Sequence, residues 1–252
     1  MTPRLVGIGV GPGDPELLTL AGLRELRAAN RVFVPVLDPA ERGRAEAVVR
    51  AHLGDEDAEV PVERLVFALA DPVTGPQARR RRHWDAAAER VAAHLRESGG
   101  STAFATIGDP AVYSTFGYLA ATVRALLPEV EVATVPGITA MQAAASAAGV
   151  TLVEGTEPLT LLPVTRDVTA LRDALSRHGT VVAYKGGRRL GDLREAIDRA
   201  GALDRAVYAE HLGTADARVL PLSEVDSGGP DGVPYLSTVV VLPPRGERGE
   251  QL

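Results

Sequence analysis

The sequence predicts an α/β protein of two domains, each a β-sheet flanked by helices. Three observations predict it. Through the first half, short β-branched runs alternate with amphipathic stretches. In the second half, strand-like runs follow one another more closely. With 252 residues, 45% of them apolar and 24% charged, the chain is long enough for one large or two modest cores and has a globular composition. The domains are expected at 1–136 and 137–244, joined near Pro136-Gly137, with a polar, frayed tail at 245–252.

The elements follow in order. Arg4–Val10 is a β-branched run closed by glycines, hence a strand. Asp14 caps the helix expected next, with Pro15 at its first position, and Leu17, Leu20, Leu23 and Leu26 give it an apolar stripe. Arg31–Leu37 reads as a strand, Glu41–His52 as a helix and Arg64–Leu69 as a strand. An Ala-rich amphipathic helix spans about Gly75–Ser98, and the strand Ser101–Ile107 delivers Gly108-Asp109. After Tyr113 a helix runs to about Leu127 and leads to the strand Glu131–Val135. The second half opens on a small-residue helix, Thr139–Ala148. Leu159–Pro163, Thr180–Lys185, Arg205–His211 and Tyr235–Leu242 are its strands, with helices near Val168–Arg177 and Gly191–Ala200.

Composition excludes several functions. There is no cysteine, hence no disulfide, thiolate metal site or cysteine nucleophile. The five histidines, at 52, 83, 94, 178 and 211, show no helical ligand spacing, so no metal site is expected. A net charge of -6 gives no broad reason to expect a nucleic-acid partner, despite the local run Arg79–Arg82. The N-terminus lacks the basic-then-apolar order of a signal peptide, and no apolar run approaches the ~20 residues of a membrane span. A cytoplasmic protein without membrane contact is expected.

Two turns carry the functional signal: Gly11-Pro12-Gly13-Asp14-Pro15-Glu16 and Gly108-Asp109-Pro110. Each follows a strand and opens a helical run, where exposed backbone amides receive polar ligand atoms. The first is not a dinucleotide fingerprint: counted from Gly7 or Gly9, the sixth position is Pro12 or Asp14 instead of glycine. Nor is it a phosphate-binding P-loop, since Gly-Lys-Ser/Thr is absent. Taken singly, the first could be a plain strand-to-helix turn, and Asp109 could merely cap a helix beginning near Ala111.

In this order and spacing the motifs resemble the tetrapyrrole methylases, S-adenosylmethionine-dependent enzymes of cobalamin and sirohaem synthesis. The family's first signature is matched by Gly11-Pro12-Gly13, three residues, then Leu17-Leu18-Thr19. Its second is matched by Gly108-Asp109, Tyr113-Ser114 and, later, Pro136-Gly137. Val10 and Ala21-Gly22 are mild departures. The resemblance covers nearly the whole chain. It implies a homodimer of two-domain α/β subunits with the cofactor in the inter-domain cleft. Cofactor contacts carried over from the family are Pro12, Gly108, Asp109, Val112, Thr139, Ala140, Leu162 and Tyr184, the last standing where many relatives have Met.

Within the family, the run Asp109–Leu119, Trp84, the segment Gly149–Leu162 and the ending Pro234-Tyr235-Leu-Ser237 imply methylation of precorrin-2 at C-20. The cobalt complex of that substrate, another ring carbon, and the protein or RNA acceptors of outlying members stay open. So does a module that binds cofactor or tetrapyrrole without catalysis. The chemistry asks mainly for alignment and a dry site, because a sulfonium methyl is already activated. Tyr113 is the candidate catalytic residue near the methyl group, as base or as packing ring. A reduced tetrapyrrole polycarboxylate calls for arginines: Arg188 beside Lys185 and Arg189 is the candidate, Arg79–Arg82 a weaker one. His211 could orient a propionate or serve structure alone.

Overall fold

The computed structural model describes residues 2–55, 59–67, 77–225 and 237–246, with the backbone alone for 77–80. The chain divides into two compact units, Met1–Thr139 and Ala140–Leu252.

The first unit is built on five strands: β1 (Arg4–Gly9), β2 (Val32–Val36), β3 (Val62–Val66), β4 (Ser101–Thr106) and β5 (Glu131–Val135). Every pairing is parallel, in the order β3-β2-β4-β1-β5. Parallel strands need crossovers, and helices supply them on both faces. Along β1 the side chains alternate between two cores. Leu5 packs with Phe33, Phe104 and the apolar stripes of α3 (Gln77–Ser98) and α4 (Phe116–Leu126). Val6 and Ile8 pack with Val32, Val34 and the stripes of α1 (Leu20–Ala28) and α2 (Arg44–Leu53). At Gly7 a Cβ would overlap the Phe116 ring, so that glycine lets α4 lie close on β1.

In the second unit five strands order as β6-β7-β10-β8-β9. They are β6 (Leu159–Pro163), β7 (Thr180–Tyr184), β8 (Ala206–Glu210), β9 (Arg218–Pro221) and β10 (Ser237–Val241). β6 and β7 are parallel, while β10 runs antiparallel to both β7 and β8. One face carries α6 (Thr169–Leu175) and α7 (Leu190–Arg199) over Val181, Tyr208 and Val239. The other carries α5 (Ala140–Ala148) over Val182, Ala209 and Val240.

Several expectations are corrected. The first helix does not start at Pro15: Asp14 caps a 3₁₀ turn over Pro15–Leu17, and extended backbone at Leu18 breaks the chain. The Thr19 hydroxyl, accepting from Gly22 N at 3.0 Å, then caps α1. This shifts the buried face to Gly22 and Leu26 and leaves Leu20, expected in the stripe, 84% exposed. No helix begins near Ala111, because α4 opens at Phe116. The edge strand β9 was not foreseen; four residues ending in Pro carry too little alternation to signal it. Arg245 does not fray. It donates to both carboxylate oxygens of Glu157 and to the Thr151 and Leu152 carbonyls. Leu69, Gly75 and Tyr235, expected in regular elements, lie outside the described residues.

Among the described residues no helix is long and apolar enough to cross a membrane.

Candidate functional site

The three sequence motifs follow β1, β4 and β5, which are adjacent parallel strands, so all three turns emerge at one edge of one sheet. Carboxyl ends of strands in such a sheet are where ligands bind. The turns are also knotted together. Gly11 and Gly108 form a two-way bridge, Gly108 N donating to Gly11 O at 2.7 Å and Gly11 N to Gly108 O at 3.3 Å. Both sit in left-handed backbone, at φ 80° and 70°. A Cβ on Gly9 would come within 2.6 Å of Gly108 O and of Gly137 N, and one on Gly137 would overlap the Gly108 carbonyl. Glycine is therefore required at both positions. Gly9 was not singled out in the sequence, since its need lies in contacts from the turns that follow two other strands.

Asp109 closes the knot. Its Oδ1 accepts from Ala111 N at 2.7 Å and its Oδ2 from Gly137 N at 3.0 Å. One carboxylate thus shapes its own turn and holds the Pro136-Gly137 turn in place. Gly108 is buried, yet a Cβ on it would meet no atom within 4 Å. That combination leaves a hollow against bare backbone, which fits a ligand in close approach. Pro12, next to Gly11, and Thr139, two residues after Gly137, are buried, and Val112 is half-buried.

Tyr113 is the most unusual residue of this edge. Its backbone is left-handed, φ 51°, at a cost of about 1 kcal/mol that glycine would not incur. Ser114 anchors it: its hydroxyl donates to Thr106 Oγ1 at 3.0 Å and accepts from Phe116 N at 3.1 Å. The ring is 44% exposed, and partial burial pushes the phenol pKa up, so it stays protonated at neutral pH.

In the second unit, Tyr184 ends β7 and its hydroxyl accepts from Met141 N at 2.9 Å, in the first turn of α5. An amide that a helix start leaves without an intrahelical partner is thereby satisfied. The structure so brings together Ala140 and Tyr184. Leu162 is buried on β6, in register with Ala183 beside Tyr184. Arg188 lies exposed in a 3₁₀ turn over Gly187–Arg189. Lys185 and His211 directly follow β7 and β8, and both are left-handed, at φ 61° and 51°. Next to His211, the buried Glu210 accepts from Tyr208 Oη at 2.6 Å and Arg218 Nη1 at 2.7 Å. Burial, then the bond to Glu210, drives the Tyr208 phenol far up, which marks this group as structural. Arg81 and Arg82 are exposed on α3, and the side chains of Arg79 and Arg80 lie outside the described set.

The profile of the Tetrapyrrole (Corrin/Porphyrin) Methylases matches residues 4–226 of this chain. The chain belongs to that family. It is 36% identical over 239 residues to a precorrin-2 C(20)-methyltransferase from Sinorhizobium, covering 94% of each chain. It is also 36% identical over 187 residues to a probable cobalt-precorrin-2 C(20)-methyltransferase from Methanocaldococcus jannaschii, covering 73% of each. Among solved structures, it resembles uroporphyrin-III C-methyltransferase from Thermus thermophilus, whose crystals contain S-adenosylhomocysteine. The TM-score is 0.62 at 21% identity, over 94% of this chain and 91% of that one, a likeness of fold.

Proposed function

We propose that this tetrapyrrole methylase transfers a methyl group from S-adenosylmethionine to C-20 of precorrin-2, giving precorrin-3A in cobalamin synthesis. The observation that carries the reading is the 36% identity across 94% of both chains with a precorrin-2 C(20)-methyltransferase. The cobalt-loaded substrate is the second reading, favoured by equal identity to the archaeal relative over a shorter span.

The cofactor supplies an activated methyl on a sulfonium, which becomes a thioether as the methyl leaves. The chain's residues hold and orient. In this reading the open space over Gly108 would take the cofactor against backbone, with Pro12 and Val112 as further contacts. Asp109 acts by fixing the Gly108 and Gly137 turns; Thr139 of the first unit, and Ala140, Leu162 and Tyr184 of the second, are the further residues that would contact the cofactor. The protonated Tyr113 phenol lines the methyl-transfer position as a hydrogen-bond donor; a phenol held neutral is a poor base. Arg188 meets a substrate carboxylate. The subunit works as a homodimer in the cytoplasm, without nucleic acid or membrane.

The test is anaerobic incubation of the purified protein with S-adenosylmethionine and precorrin-2, with the cobalt complex in parallel. Mass spectrometry should show a product one methyl heavier, and NMR should place the new carbon at C-20. Cofactor binding with no product from either form would overturn the reading.

A further inference from the structure

The first unit carries an aromatic pair that neither the core nor the proposed reaction has used. Trp84 of α3 and Tyr118 of α4 stack face to face, with ring centroids 4.6 Å apart and planes 7° from parallel. Trp84, the chain's single tryptophan, packs partly buried against the core that holds Val91, Phe104 and Phe116. Tyr118 lies outside that core and is 57% exposed. A ring backed by a second ring, with much of its surface in water, offers a flat apolar contact to another flat group.

The stack stands at the sheet edge that carries the glycine turns. α4 opens at Phe116, directly after the turn with Gly108, Asp109 and Tyr113, so Tyr118 lies in its first turn near the carboxyl end of β4. α3 ends at Ser98, just before β4 begins at Ser101, and runs along the same face of the sheet. From Ser98 back to Trp84 the helix rises about 21 Å, at 1.5 Å per residue. The strand β4 spans about 20 Å. Trp84 thus stands level with the carboxyl ends of the strands, where its contact with Tyr118 finds it.

Charge beside the rings is positive. Arg81 precedes Trp84 by three residues on α3, which sets it on the same helix face one turn nearer the start, and it is exposed. It forms no ion pair with a carboxylate among the described residues, Asp85 four residues on included. A flat apolar face next to a guanidinium complements a disc with an acidic rim. A reduced tetrapyrrole polycarboxylate is such a ligand.

We propose that Tyr118, backed by Trp84, is a substrate-binding platform: its exposed ring meets a face of the macrocycle while Arg81 meets a carboxylate on the rim. The inference deepens the methyltransferase reading and rests on it. It gives the macrocycle a place on the same edge of the first sheet as the open space over Gly108.

The test uses Y118A, Y118L, Y118F and R81A. Melting temperature and sedimentation are measured for each variant. So are the dissociation constants of S-adenosylmethionine and of precorrin-2 or its cobalt complex, whichever the parent protein binds. Y118A and Y118L should melt near the parent and bind S-adenosylmethionine within twofold of it, but the tetrapyrrole at least tenfold more weakly. Y118L keeps an apolar cover over Trp84 and decides the matter if Y118A melts early. Y118F, which keeps the ring, should bind like the parent. R81A should lose a smaller factor, one that shrinks as salt rises. Tetrapyrrole affinity within twofold of the parent in Y118L overturns the platform. So does a Y118A protein that sediments as a smaller species, because the ring then serves contact between copies. A parent that binds neither tetrapyrrole overturns the platform together with the precorrin-2 reading. A parent that binds one of them yet transfers no methyl group refutes that reading alone, and the Tyr118 variants still decide the platform.

Discussion

The Asp109 carboxylate accepts the Gly137 amide at 3.0 Å while its other oxygen accepts Ala111 N at 2.7 Å, so one side chain ties the turn after β4 to the turn after β5. Removing it leaves two amide donors without a partner. Charge-assisted bonds to backbone contribute about 1.5–3 kcal/mol each when lost without replacement. D109A should therefore lower the melting temperature and weaken S-adenosylmethionine binding together. D109N, which keeps one acceptor, should fall between. A D109A protein that melts like the parent but loses only the methyl-transfer rate would point to direct chemistry at the carboxylate.

Gly108 and Gly137 separate binding from folding. A Cβ on Gly137 collides with the Gly108 carbonyl, backbone against backbone, so neither side can yield. G137A should cost about 3 kcal/mol or more and shift the melting point sharply. At Gly108 a Cβ finds open space, and only the left-handed φ of 70° is penalised, by about 1 kcal/mol. G108A should thus stay folded while its methyl fills the hollow. Calorimetric titration with S-adenosylmethionine should show the larger loss in G108A than its melting point suggests. Unchanged affinity in that variant would remove the hollow from the cofactor site.

Much of this arrangement was legible in the chain. Glycine and proline announce strand-end turns because they most readily tolerate or impose the backbone required, and Gly11-Pro12-Gly13, Gly108-Asp109-Pro110 and Pro136-Gly137 supply them. What stayed hidden depends on distant contacts. Asp14-Pro15 gives a sound helix-start signal, but it is spent on a 3₁₀ turn before Thr19 caps the real helix. Asp109 reads as a local cap, and only the packing of β5 beside β1 shows its second partner. Left-handed backbone at Tyr113, Lys185 and His211 has no sequence mark, because the residues that normally signal it are absent from those positions.

Tyr184 offers a cleaner variant than the turn residues. Its hydroxyl accepts from Met141 N, and phenylalanine keeps the ring while leaving that amide unpaired. Y184F should cost about 1 kcal/mol of stability. If Ala140 and the start of α5 hold the cofactor, affinity should drop by roughly the same free energy, about fivefold. Equal affinity in Y184F and parent would show that the bond serves the fold alone.

Arg245 gives a pH signature. Its hydrogen bonds hold the Glu157 carboxyl below the usual carboxylate range, with a smaller opposing push from burial. A carboxylate whose folded pKa is depressed adds stability that is fully present above its unfolded pKa, about 4.3. That stability is lost as pH falls through the folded value. R245A should therefore destabilise the protein by about 1–3 kcal/mol at pH 7, where the Glu157 charge loses its partner. The difference should shrink as pH drops below about 4, because a protonated Glu157 no longer needs the guanidinium. Urea denaturation of parent and R245A between neutral and acid pH measures this directly. A difference that stayed constant across that range would assign the role of Arg245 to its bonds with the Thr151 and Leu152 carbonyls instead of the ion pair.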